Sequence, residues 1–269
     1  SEMCIRDRSW TLTALPLFVW MGEILFRTKL SENLFRGLSP WMQKLPGGLI
    51  HVNIVGCALF AAISGSSAAT VATVGKMSIP ELRKRNYPEK ILLGSLAGSG
   101  TLGLLIPPSI ILIIYGVAVQ ESIAKLFIAG IIPGIMIALI FMSYVVIWSL
   151  INKKDMPNII ENYSFLEKIK KSRQLLPVIF LISAVIGSIY TGIATATEAA
   201  SLGVVGALIL SYFQKSLTLE TFKSSLMGAT KTSCMIAFIL AGSTFLSLAM
   251  GFTGLPRNLA IWIESMSLS

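Results

Sequence analysis

Ala61-Ala-Ile-Ser-Gly-Ser-Ser-Ala-Ala-Thr-Val-Ala-Thr-Val-Gly75 decides how this chain folds, because twelve of its fifteen residues are Gly, Ala, Ser or Thr. It closes an uncharged run that begins at Leu49. A basic turn, Pro80-Glu-Leu-Arg-Lys-Arg-Asn86, follows. The next apolar run is interrupted by Gly98-Ser-Gly-Thr-Leu-Gly103 and again by Ile106-Pro-Pro-Ser109. Two neighbouring apolar segments, each broken inside, read as half-helices that meet within a membrane, which is how discontinuous helices build an ion site.

Leu49 to Val74 is long enough to cross a bilayer as one helix, but the Ser64-Gly-Ser-Ser67 cluster falls near its middle. Two half-helices of about 12 residues each would rise about 18 Å, roughly half a bilayer. The preferred reading is a re-entrant hairpin over 48–75 with its tip at Ser64 to Ser67; one simple span is the alternative. The run 91–119 reads as a broken span. Pro107 and Pro108 bring no amide hydrogens, so carbonyls one turn earlier need other partners, and a cation can be one.

Composition points the same way. Of 269 residues, 54% are hydrophobic and 13% charged, and the mean hydropathy is +0.76, well above a soluble domain. Roughly six segments approach the length and apolarity of a spanning helix. The net charge of +9 would suggest nucleic acid in a soluble protein, but here the cations sit in loops between apolar runs, so no nucleic-acid partner is expected. Cys4, Cys57 and Cys234 have no close spacing and His51 is the one histidine, which leaves no disulfide framework and no multi-histidine metal centre.

Taken in order, residues 1–8 are a polar head, read as foreign to the fold. Residues 9–151 carry a span from Trp10 to Phe26, an amphipathic surface helix over 27–44, the hairpin, the broken span 91–119 and a span over 126–151. Pro80 and Pro88 are expected to mark helix boundaries. Residues 152–174 form a basic linker. Residues 175–269 begin again with spans over 175–193 and 199–213, a surface helix over 217–231, a span over 233–252 and an amphipathic tail. If 27–44 is cytoplasmic, the hairpin reading also puts 76–90, 152–174 and 214–231 there. Those stretches hold 18 of the 22 basic residues, as the positive-inside rule requires. Span and surface helix recur at 233–263 on the opposite face, the signature of an inverted repeat that this sequence leaves unfinished.

A family likeness rests on Ile63-Ser-Gly-Ser-Ser-Ala-Ala-Thr70, Ile79-Pro-Glu-Leu-Arg-Lys-Arg85, Gly103-Leu-Leu-Ile-Pro-Pro-Ser109, Ile114-Tyr-Gly116, Leu126-Phe-Ile-Ala-Gly-Ile-Ile-Pro-Gly134 and Thr197-Glu-Ala-Ala200. Together these resemble the large membrane subunit of TRAP transporters, the DctM type, from about Leu15 onward. The resemblance implies an all-α, multi-pass protein of the bacterial or archaeal inner membrane in the ion-transporter superfamily. It implies sodium symport of carboxylates, dicarboxylates among them, delivered by a periplasmic binding protein. A small four-helix membrane subunit of the DctQ type is the implied partner, and an elevator motion of the hairpin-bearing domain the implied mechanism. One departure is Thr195-Ala196-Thr197, where many members have Thr-Pro-Thr.

Candidate sodium ligands are Ser64, Gly65, Ser66 and Ser67 at the tip, facing Thr101, Gly103 and the break at Pro107, Pro108 and Ser109. Sodium is hard and takes oxygen ligands that hydroxyls and carbonyls supply without a buried counter-charge. The competing explanation is that small residues simply let helices pack closely. Glu198 lies in an apolar surround and is either a functional carboxylate or an N-terminal cap. His51 reads as structural. No enzyme is expected: Ser66 or Ser67 with His51 would need a base within hydrogen-bond reach, and about 22 Å of helix separates them. A related carboxylate permease or antiporter that works without a binding protein is the alternative function.

Overall fold

The computed structural model describes residues 2–27, 30–157 and 163–266, and every regular element among them is helical. Lys29 of the first surface stretch, 158–162 of the linker and 267–269 lie outside the described residues. The order begins with α1 (Glu2–Phe26), α2 (Leu30–Met42), α3 (Ile50–Ser64) and α4 (Ser67–Lys84). Next come α5 (Glu89–Gly100) with a 3-10 turn over Thr101–Leu104, α6 (Ile110–Val119), α7 (Ile123–Ile151) and α8 (Phe165–Ser172). The last four are α9 (Leu176–Tyr190), α10 (Ala196–Phe213), α11 (Leu219–Thr253) and α12 (Leu255–Ser265).

Two compact units are present, Ser1–Ala229 and Thr230–Ser269. The first is built around α3, which packs against α1, α2, α4, α5 and α7. Ile54, Phe60 and Ile63 are fully enclosed there, and Phe18 of α1 meets Phe127 of α7 edge to face at 6.2 Å. α3 is largely apolar around its circumference and is accordingly enclosed by protein, with twelve of its fifteen residues buried.

α2 is amphipathic as expected: Leu34 and Leu38 are buried and Trp41 is exposed, as is Leu45 just beyond its end. The linker helix α8 docks on it. Trp41 Nε1 donates to Ser172 Oγ at 2.8 Å, and Ser172 Oγ donates to the Gly37 carbonyl at 3.1 Å. A capping box between Ser164 and Glu167 starts α8.

Three helices, α7, α10 and α11, are long and apolar enough to cross a membrane among the described residues, fewer than the six segments expected. The 15 residues of α9 rise only about 22 Å, and α3 is no longer. Two expected boundaries are absent. Pro80 lies inside α4, where one missing amide does not stop the helix from reaching Lys84. The stretches 217–231 and 233–252, read as separate helices, form the single 35-residue α11, because Lys231-Thr-Ser233 is polar but contains no helix breaker.

Candidate functional site

The tip forms because α3 runs out of side chains that favour its continuation. Gly65 takes the left-handed conformation, φ +57°, and its N–H closes α3 on the Ala61 carbonyl at 2.9 Å. Ser66 is extended and caps α4, with Oγ accepting from the Ala69 N–H. The two arms then pack antiparallel, so that Gly56 of α3 lies against Val74 of α4.

Hydroxyls collect around this turn. Ser64 Oγ and Thr70 Oγ1 are 2.9 Å apart, Thr70 Oγ1 donates to the Ser66 carbonyl at 2.8 Å, and Ser66 N donates to Ser64 Oγ at 3.3 Å. The Ser67 hydroxyl is buried with no partner among the described residues.

The broken helix supplies the opposite wall. After the 3-10 turn, the chain bends through Ile106, Pro107 and Pro108, and Ser109 is extended before α6 starts at Ile110. Ser109 Oγ takes up the Leu104 carbonyl at 2.7 Å, replacing an amide that Pro108 lacks. The two walls touch through main chain. Ile110 N reaches the Gly65 carbonyl at 3.4 Å. A Cβ on Gly65 would lie 2.8 Å from the Pro108 carbonyl oxygen, and one on Gly103 would lie 3.1 Å from Ser67 N. Glycine permits so close an approach at Gly65, and at Gly103 a side chain would require the Ser66–Ser67 main chain to give by a few tenths of an ångström.

Of the sequence candidates, the fold therefore brings Ser64, Gly65, Ser66, Ser67, Gly103, Pro108 and Ser109 together. Thr101 is turned outward, exposed, with its hydroxyl on the Gly98 carbonyl at 2.7 Å. Val145 of α7 meets the base of the hairpin at Gly47, whereas Gly130 and Gly134 meet the break at Leu105 and Ile106. Gly22 of α1 abuts Ser64, and the adjacent Met21 abuts Gly203, halfway along α10.

The model of the family described as "Tripartite ATP-independent periplasmic transporter, DctM component" matches residues 7–269. The chain belongs to this DctM family. It is 33% identical over 261 residues to the C4-dicarboxylate TRAP transporter large permease protein DctM of Pseudomonas aeruginosa, covering 97% of this chain and 60% of that protein. The sialic acid TRAP transporter large permease protein SiaM of Vibrio cholerae is 32% identical, covering 96% of this chain and 60% of that protein. The isethionate TRAP transporter permease protein DctMQ of Oleidesulfovibrio alaskensis is 32% identical, over 94% of this chain and 40% of that protein. The chain thus spans about 60% of the length of its separate large-permease relatives. DctM proteins are permease components rather than enzymes, and with its apolar helices the chain is a multi-pass membrane protein.

Within this DctM chain the remaining candidates are placed as follows. Glu198 is exposed and tied into a capping box: its Oε2 accepts from Thr195 N and Thr195 Oγ1, both at 2.8 Å. His51 is buried at the start of α3 with Nε2 2.7 Å from the Pro46 carbonyl, thirteen residues and roughly 20 Å of helix from Ser64. In the basic turn, burial pushes the Tyr87 phenol up from its usual range, and its oxygen accepts from the Leu49 N–H at 3.1 Å. The sequence reading missed Thr70, whose position six residues after Ser64 faces it only once the chain has turned back. It also missed Asn53, buried between α3 and α5 with Nδ2 on Ser95 Oγ at 3.1 Å.

Proposed function

We propose that this chain is the membrane-embedded part of a sodium-coupled TRAP transporter that imports carboxylates handed over by a periplasmic binding protein, with a DctQ-type small subunit beside it. The observation that carries this is the hydroxyl-lined turn at Ser64 to Ser67 seated against the Gly103 to Ile110 break. Its donors are hydroxyls and peptide carbonyls without a carboxylate, a set that suits a hard monovalent cation. The buried, unpartnered Ser67 Oγ supports the same reading, since such an atom wants a ligand.

Helix polarity adds to it. The C-terminal ends of α3 and of α5 with its 3-10 turn converge on the tip and favour a cation, while the N-terminal ends of α4 and α6 beside them favour an anion. Relatives are named for C4-dicarboxylate, sialic acid and isethionate, all acidic solutes. The break meets Gly130 and Gly134 within α7, and Met21, next to the Gly22 that abuts Ser64, meets Gly203 within α10; both support a tip inside the bilayer, that is, a re-entrant hairpin. The packing of α2 against both α4 and α8 supports a shared, cytoplasmic face for the basic stretches 27–44, 76–90 and 152–174.

Uptake into proteoliposomes, using the full-length protein with its small subunit and binding protein, tests this. Transport is expected to require both an inward sodium gradient and the binding protein, and Ser64→Ala is expected to lose the sodium dependence. Unchanged sodium dependence would remove Ser64 from the site, and uptake without the binding protein would favour a stand-alone permease.

A further inference from the structure

A cleft of about 700 Å³ opens where three segments far apart in sequence meet: α2, the C-terminal end of α4, and the linker with α8. Arg36 comes from α2, Arg85 from the end of α4, and Lys170 and Lys171 from α8. Among the described lining residues four are cations and one, Glu81, is an acid, held by Arg85 Nε at 2.9 Å. Phe35 and Met77 give it an apolar patch. Lys171 Nζ sits 3.7 Å from the centre of the Tyr163 ring, which positions the ammonium at the wall.

Orientation alone would be satisfied by cations anywhere in these loops. Gathering four of them around one concavity, with an apolar patch between, describes a receptor for a compact anion that carries an apolar body. α2, which supplies Phe35 and Arg36, is amphipathic and carries the exposed Trp41, the kind of helix that rests in the headgroup layer. Guanidinium and ammonium groups together bind phosphate oxygens well, and basic pockets at the cytoplasmic ends of membrane helices hold anionic headgroups.

We propose that the cleft between α2, α4 and α8 binds a phosphate group, and that its source is the headgroup of an anionic phospholipid. Such a lipid would tie the linker to the base of the hairpin. Nothing in the proposed sodium site enters this assignment, so either can fail without the other.

The test is lipid retention by the full-length protein, washed in detergent containing phosphatidylcholine, then exposed to phosphatidylglycerol and read by native mass spectrometry. The wild type is expected to keep phosphatidylglycerol and to release phosphatidylcholine. The double variant Lys170→Gln, Lys171→Gln is expected to hold the anionic lipid about thirtyfold more weakly, and Arg36→Gln about fivefold. Lys153→Gln with Lys154→Gln removes the same charge from the same linker outside the cleft and is expected to retain the lipid as the wild type does. Equal loss in that control, or equal retention of the two lipids by the wild type, would overturn the site. Displacement of the lipid by millimolar inorganic phosphate would overturn the phospholipid as its source.

Discussion

α3 and α7 are both strongly apolar, yet they live in opposite surroundings. Twelve of the fifteen residues of α3 are buried, against six of the twenty-nine of α7, where Ile132, Leu139 and Ile140 face outward. The difference lies in what else each helix carries. α3 brings His51, Asn53 and Ser64 inside, polar groups that hydrocarbon would not tolerate and that the Pro46 carbonyl, Ser95 of α5 and Thr70 of α4 meet. In α7 the Ser143 hydroxyl is satisfied by its own helix, on the Leu139 carbonyl at 2.8 Å, and asks nothing of a neighbour. In a membrane protein, apolarity says that a segment belongs in the bilayer, and small and polar residues say which side of it faces protein.

This contrast can be broken most sharply at its centre. Phe60→Ala in α3 is expected to cost about 3 kcal/mol, because a fully enclosed ring leaves a cavity, whereas Ile132→Ala in α7 should change stability by less than about 0.5 kcal/mol. Thermal unfolding of the full-length protein in detergent compares them, and similar losses at both sites would mean that α3 is not the packed hub. A smaller effect belongs to the tip. Gly65→Ala is expected to cost about 2 kcal/mol, since an L-residue must hold φ near +57° with its Cβ against the Pro108 carbonyl. Gly187→Ala in α9, where a Cβ meets nothing within 4 Å, should be neutral or stabilising by up to about 1 kcal/mol. A silent Gly65→Ala would contradict the close seating of tip on break.

The two breaks were legible because helix-stopping residues announce themselves locally: glycine among serines at 64–67, paired prolines at 107–108. The amphipathic α2 was legible from its leucine spacing. What needs the folded chain was not. Asn53 meets Ser95 across 42 residues, and no periodicity records that. Thr101 looked equivalent to Gly103, yet the 3-10 turn faces the threonine outward and the glycine onto Ser66 and Ser67. The boundary expected between 217–231 and 233–252 failed for a related reason: a change from polar to apolar composition marks where a helix enters lipid, not where it ends.

The central claim is that the chain enters and leaves the membrane on one face between α2 and the end of α4. Lys44 and Lys84 are both exposed and flank the hairpin. Single cysteines at these two positions, in a full-length protein otherwise free of cysteine, can be labelled with a membrane-impermeant maleimide in right-side-out and inside-out vesicles. Labelling of both Lys44→Cys and Lys84→Cys in inside-out vesicles alone is the expected result, and labelling of the two from opposite sides would contradict the account.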